Sequence, residues 1–210
     1  AVGHPWVSPS DAILAWLSRT AVTSTLCSHS ISMISPIDAR SRLSHLQDSN
    51  GVYIQNMLLA SFVTLSPEAL RGSLGKQALV SRQSLLDQLQ EENLVGILQL
   101  LRKRWDDFRT GSPIFAAPGS VLLITNNRLK IDIFSAADFR PAVLRAEKKE
   151  PRSSPIGTPI YHYATPLNAG ITFRNFVNIH TIDREGNYWL SGFFTPRQWS
   201  KIEEGFQELC

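Results

Sequence analysis

The sequence predicts one α/β (α+β) domain over residues 1–210, with helices flanking a mixed β-sheet. Three observations carry that reading. Two capping boxes open helices near opposite ends of the chain, at Ser8-Pro9-Ser10-Asp11 and at Thr195-Pro196-Arg197-Gln198. The region from Leu74 to Phe108 repeats apolar side chains at helical spacing. The remaining apolar segments are short, and are either continuous or alternating, as strands require.

Each element follows from local signals. Ser8 and Asp11 form the first box around Pro9, and Ile13, Leu14, Leu17 and Ala21 then supply one apolar face. His29 to Ile34 alternates polar and apolar residues and predicts a strand running towards Asp38. Ser49-Asn50-Gly51 is a turn signal, and Val52 to Phe62 is rich in apolar and β-prone residues. Ser66-Pro67-Glu68 opens the next helix. The region from Leu74 to Phe108 is long for one helix, so a break is expected near Gln90 to Asn93, with Asn93 as the new cap.

The second half reads mainly as strand. Val121 to Thr125 is a continuous apolar run suited to a strand covered on both faces. Leu129 to Phe134 alternates cleanly. Residues 145–159 read as an exposed loop, with charges at Glu147 to Glu150 and then Pro151, Ser153, Ser154, Pro155 and Gly157. Ile160–Tyr163, Ile171–Thr181 and Asn187–Phe194 follow as strands, the last two joined by a turn at Asp183 to Gly186. In the closing helix Trp199, Ile202, Phe206 and Leu209 are expected to face the core.

Composition narrows the function. With 210 residues, 43% of them hydrophobic, the chain can bury a core of its own and does not read as disordered. The net charge is +3, and the densest basic cluster, Arg102-Lys103-Arg104, is followed by Asp106-Asp107. It reads as a solvated helix face, and no nucleic-acid partner is expected. No apolar run reaches the roughly 20 residues of a membrane span, and no signal-peptide pattern is present, so no membrane partner is expected. Cys27 and Cys210 lie far apart and support neither a disulfide scaffold nor a metal site. A reducing, cytoplasmic location is the expectation. The lack of an initiating Met fits a processed, cleaved or trimmed chain.

Two blocks carry a family resemblance. Ser8 to Leu17 (SPSDAILAWL) and then Ile37 to Leu43 (IDARSRL) resemble the start of the second half of the BAHD acyltransferases. The family pattern there runs roughly S-T-N-D-A-L-x-A-x-x-W and then V-D-x-R-x-R-L. The likeness continues in order along nearly the whole chain. Val52 to Asn56 resembles Y-x-G-N, with Gln55 in place of glycine, and Ser73 to Arg82 resembles S-L-G-x-x-A-x-x-I-R. Leu123 to Asn127 stands where a strand ends in T-S-W, and Gly186 to Ser191 resembles the last strand. The branch it most resembles is the fungal, trichothecene-acetyltransferase-like one acting on secondary metabolites.

The resemblance implies one chloramphenicol-acetyltransferase-like half fold. It implies acyl-CoA as co-substrate with no bound cofactor, and a small-molecule acceptor carrying a hydroxyl or amine. The implied partner is an N-terminal acyltransferase half, separate or cleaved, or failing that a second copy of the chain. Asp138 to Ala142 (DFRPA) departs from the family's D-F-G-W-G. Pro141 fixes its own φ and restricts Arg140, so this loop is expected to take a different path.

Acyl transfer from a thioester needs a base for the attacking group and a donor for the tetrahedral oxyanion. In the family the base is the His of H-x-x-x-D, in the first half, and the Asp of that motif pairs with the Arg of V-D-x-R-x-R. None of the five histidines here has an Asp four residues later. His45 with Asp48 and His180 with Asp183 are spaced by three, which in an extended strand places the two on opposite faces unless a turn intervenes. No catalytic residue is therefore assigned in this chain.

The family Arg falls on Arg40, which implies an interface cation beside Asp38; an intradomain pair with Asp38, or a surface arginine, is equally open. Thr125 and Asn126 match the strand end near the acyl and thioester region, which implies donors to substrate or CoA; ordinary strand-end polarity is the alternative. Tyr161, His162, Tyr163 and Phe173 with Arg174 either line a pocket or face the core. The expected function is the C-terminal half of a CoA-dependent acyltransferase. A shortened relative working as a cyclase, or a non-catalytic binding module, are the alternatives.

Overall fold

In the computed structural model, which describes residues 6–23, 29–47, 51, 53–54, 56–104, 106, 114–131, 136–144, 155–160 and 174–208, the strands join into one five-stranded mixed sheet. Helix α1 (Pro9–Leu17) starts where the Ser8 hydroxyl accepts from the Asp11 amide and Asp11 Oδ2 accepts from the Ser8 amide at 2.7 Å. It runs into a π-helical turn, Ser18–Thr23. Strand β1 (Ile31–Asp38) leads through a 3-10 turn (Arg40–Arg42) to the short α2 (Ser44–Gln47) and to β2 (Leu58–Leu65). Helices α3 (Pro67–Arg71), α4 (Leu74–Gln88) and α5 (Glu91–Lys103) precede β3 (Val121–Asn127). A 3-10 turn at Arg140–Ala142, the hairpin β4 (Phe176–Ile182) and β5 (Tyr188–Phe193), and α6 (Pro196–Gln207) complete the fold.

The strand order is β2-β1-β3-β4-β5. The three central strands β1, β3 and β4 run parallel, and both edge strands pair antiparallel to them. A parallel pair needs a long crossover, and the connection from β1 to its parallel neighbour β3 runs through β2 and α3 to α5. One sheet face carries the main core. Ile31, Met33, Val63, Leu65, Leu123 and Val177 pack there against Leu17, Ala21, Leu70 and Ile202 from the helical layer. Full burial of side chains this size contributes roughly 2 kcal/mol each. A second cluster, Ala39, Leu43, Leu59 and Leu94, holds α5 against the end of β1.

Several expectations need correction. The helical region does break, but Gln90 stands at the cap position of α5 and makes no side-chain cap bond. Asn93 Nδ2 instead donates to the Asp87 carbonyl at 2.7 Å, in the last turn of α4, where carbonyls lack helical partners. Strand β2 starts at Leu58, later than the apolar segment beginning at Val52. Leu129 and Lys130 form a turn rather than a strand, because Asn127 Oδ1 accepts from the Leu129 amide at 3.0 Å. β3 is less covered than expected, since Leu123 and Thr125 are buried on one face while Leu122 and Ile124 are half-buried on the other.

Ile160 is a bend. Residues 156–159 are half-buried rather than exposed, and Phe139 donates its amide to the Gly157 carbonyl at 2.8 Å. Of the described residues on the expected face of α6, Ile202 is buried and Trp199 is 39% exposed. Phe206 is 51% exposed and packs on Trp16 with ring centroids 4.7 Å apart. Trp105, Phe108, Leu209, the 49–50 turn, Val52, Gln55, residues 132–134 and both cysteines lie outside the described residues.

Candidate functional site

β1 and β3 pair in parallel from Ile31 with Val121 to Ile34 with Ile124, and residues singled out by the sequence lie towards their C-terminal ends, Asp38 closing β1 and Thr125 and Asn126 near the end of β3. Thr125 and Asn126 are consecutive on β3 and so face opposite sides of the sheet. Thr125 is 1% exposed on the core side, where its hydroxyl bonds to that of Ser35 on β1. The next core-side residue, Asn127, donates through Nδ2 to the Ser10 hydroxyl in the first turn of α1 at 2.7 Å. Asn126 faces the other side.

That other side is ordered by the strand register. Phe62, Ile34, Ile124, Phe176 and Phe193 are successive cross-strand partners across all five strands and form an apolar ladder. The Phe176 and Phe193 rings lie 5.9 Å apart, and Phe115 stacks edge-on against Phe62 at 5.2 Å. The next row is polar: Asn126 pairs with Asn178, and Asn178 with Ser191. A bulge between Ile179 and Thr181 brings His180 beside this row, where Nε2 lies 2.7 Å from the Ser191 hydroxyl. Sequence reasoning missed Asn178 and Ser191. Only the register reveals them, because each is an ordinary polar residue in an alternating strand.

His180 and Asp183 belong to separate networks. Asp183 organises the β4–β5 turn, its Oδ1 accepting from the Glu185 and Asn187 amides and its Oδ2 from Asn187 Nδ2 and Trp189 Nε1, all at 2.9–3.0 Å. These donors, the Asn187 amide first, push its pKa down to about 2. His45 is exposed on α2, and Asp48 lies outside the described residues.

Arg40 is held by Asp38. Its Nε and one terminal nitrogen donate to the two carboxylate oxygens at 2.9 Å each, and Asp38 also accepts the Arg40 amide at 3.1 Å. The Arg40 guanidinium lowers the Asp38 pKa. Nε of Arg42 is buried without a hydrogen-bond partner among the described residues. The same Asp-x-Arg arrangement recurs at Asp138-Phe139-Arg140, where Arg140 brings the Asp138 pKa to about 2. In both places it precedes a 3-10 turn, so the departed DFRPA loop has its own local lock. Tyr161, His162, Tyr163 and Phe173 lie outside the described residues, and Arg174 is exposed. Among the described residues no group of three or more His, Cys, Asp or Glu is placed to hold a metal ion, and no helix is long and apolar enough to cross a membrane.

The O-acetyltransferase PaAT-2 of Phomopsis amygdali is 35% identical over 215 residues, covering 99% of this chain and 43% of that protein. The acetyltransferase pyiB of Pyricularia grisea is 28% identical over 204 residues, covering 95% and 40%. This chain is a homologue of fungal acetyltransferases. It spans about two fifths of the length of those relatives, between 40% and 43% for the two above. No protein-family model matches it.

The acetyltransferase homologue also shares its fold with solved structures. F. graminearum TRI101 complexed with coenzyme A and T-2 mycotoxin superimposes with a TM-score of 0.64 at 16% identity, over 97% of this chain and 42% of that one. Vinorine synthase gives 0.55 at 14% identity, over 92% and 40%. The BAHD-type fold expected from the sequence is thus present.

Proposed function

We propose that this chain is the second half of an acyl-CoA-dependent acyltransferase, acting on a hydroxyl or amine of a small secondary metabolite once a first half supplies the catalytic His. The observation that carries this reading is that nearly the whole chain matches 43% of an O-acetyltransferase at 35% identity. TRI101 structures holding coenzyme A with T-2 mycotoxin or deoxynivalenol support a thioester donor and a small acceptor. The separation of His180 from Asp183 supports a base from outside this chain. Asn126 is the proposed donor to substrate or CoA, with Thr125 fixing its strand through Ser35. Asp38, Arg40 and Arg42 form the proposed contact for a carboxylate of the first half, in a cytoplasmic enzyme.

The test is release of free CoA from acetyl-CoA, with deoxynivalenol as acceptor. The 210-residue chain is assayed alone and co-expressed with the first half of PaAT-2. Release only by the combined sample is expected. Turnover well above background by the chain alone, abolished by His180→Ala or His45→Ala, would overturn the proposal. An interface between the halves should bury more than roughly 1,000 Å².

A further inference from the structure

Between β1 and β3 the sheet parts before either strand ends. Their pairing stops at Ile34 with Ile124. β1 nevertheless continues along β2 to Asp38, and β3 continues along β4 to Asn127. The cause is legible in the sequence. The Val121 amide donates to the Ser30 carbonyl at 2.8 Å, so the even-numbered residues of β1 turn their backbone polar groups towards β3. Pro36 is one of them and has no N–H to give.

Side chains hold the parted end of β3 instead. The Ser35 and Thr125 hydroxyls bond to each other across the split. Two residues on, Asn127 Nδ2 donates to the Ser10 hydroxyl at 2.7 Å, and Asn127 Oδ1 accepts the Leu129 amide at 3.0 Å. Ser10 is 8% exposed in the first turn of α1, where its neighbour Asp11 accepts from Arg82 of α4 at 2.8 Å. One carboxamide thus joins the end of β3, the turn that follows it and the helical layer.

We infer that Asn127 is a positioning residue, whose carboxamide latches the parted end of β3 to α1 and so fixes where Asn126 stands. The two asparagines share a planar peptide bond, so holding one limits the path of the other. The T-S-W pattern has tryptophan at this position, and an indole accepts no hydrogen bond, so the latch departs from that pattern. The inference rests on the acyltransferase reading only in making Asn126 the donor that is positioned.

The test reads the latch and the chemistry separately. Just past the latch, Arg128 donates its amide to the Ile179 carbonyl at 2.9 Å and serves as the reporter. In the 210-residue chain, Ser10→Ala and Asn127→Leu are each expected to speed hydrogen exchange of the Arg128 amide about tenfold, as loss of one net hydrogen bond does. Asn127→Asp should exchange like wild type, because the Ser10 hydroxyl can donate to the carboxylate and Leu129 keeps its acceptor. In the recombined halves kcat/KM should follow the same order, about tenfold lower for Asn127→Leu and close to wild type for Asn127→Asp. Unchanged Arg128 exchange in Ser10→Ala would overturn the inference. So would equal activity of Asn127→Leu and Asn127→Asp. If wild-type halves recombine without activity while Arg128 responds as expected, the acyltransferase reading falls and the latch stands.

Discussion

Asp11 serves two structures at once. Its carboxylate closes the capping box with Ser8, and it also accepts from Arg82 of α4 at 2.8 Å, with side chains only 9% and 16% exposed. Arg82 further stacks over Trp6 at 4.8 Å. Asp11→Ala removes the cap and strands a mostly buried guanidinium, so it is expected to cost about 3 kcal/mol in urea unfolding at neutral pH. Arg82→Leu should cost less, because Asp11 keeps its bonds to Ser8. Like Asp138, Asp183 contributes to the acid limb of stability. Its pKa of about 2 in the folded chain lies below the ordinary value near 3.9. Its contribution is therefore present above about pH 4 and is lost as pH falls towards about 2. Thermal melts across that range should show wild type above Asp183→Asn at neutral pH, with the gap closing in acid.

Among the elements, the edge strand β2 is sealed by a side chain. Gln88 of α4 accepts the Phe62 amide and donates to the Phe62 carbonyl, both at 2.8 Å, as a neighbouring strand would. An open edge invites pairing with another chain. Gln88→Leu is expected to raise light scattering during refolding while leaving the native melt nearly unchanged. Two glycines mark close approaches with different tolerance. A Cβ at Gly192 would sit 2.6 Å from the Phe176 carbonyl oxygen of the paired strand, which cannot move without parting the hairpin. Gly192→Ala should cost about 2 kcal/mol by chemical denaturation. At Gly205 the nearest atom, 2.8 Å away, is a Thr20 methyl that can rotate, and alanine gains up to about 1 kcal/mol in helix propensity. Gly205→Ala should be nearly neutral in the same measurement.

At the scale of the whole molecule the sheet is unequally covered. One face is closed by the helical layer, while on the other Phe193 and Phe115 are 45% and 47% exposed. Apolar surface of this kind commonly marks an interface. In the proposed two-half enzyme the cation left for a partner carboxylate is Arg42, since Arg40 is bound by Asp38 on both oxygens. Arg42→Ala is therefore expected to lower acetyl transfer by the recombined halves at least tenfold, with Arg40→Ala milder. The reverse order would restore Arg40 to the role that the family pattern implies.

Much of the fold was legible because its signals are local. Ser8 with Asp11 and Thr195 with Gln198 cap helices through neighbours three residues apart, and the Asp183 to Gly186 turn fixes its hairpin by itself. The order of motifs from Ser8 to Ser191 likewise sufficed for the acyltransferase resemblance, since order and spacing survive in the sequence. What the sequence left open depends on partners distant in the chain. Whether Arg40 meets Asp38 or a surface, which of Thr125 and Asn126 is engaged by Ser35, and that Arg82 returns to Asp11 are decided by packing and strand register. The row of Asn126, Asn178 and Ser191 exists only in the register of three strands, because a shift of one residue would turn every member to the opposite face.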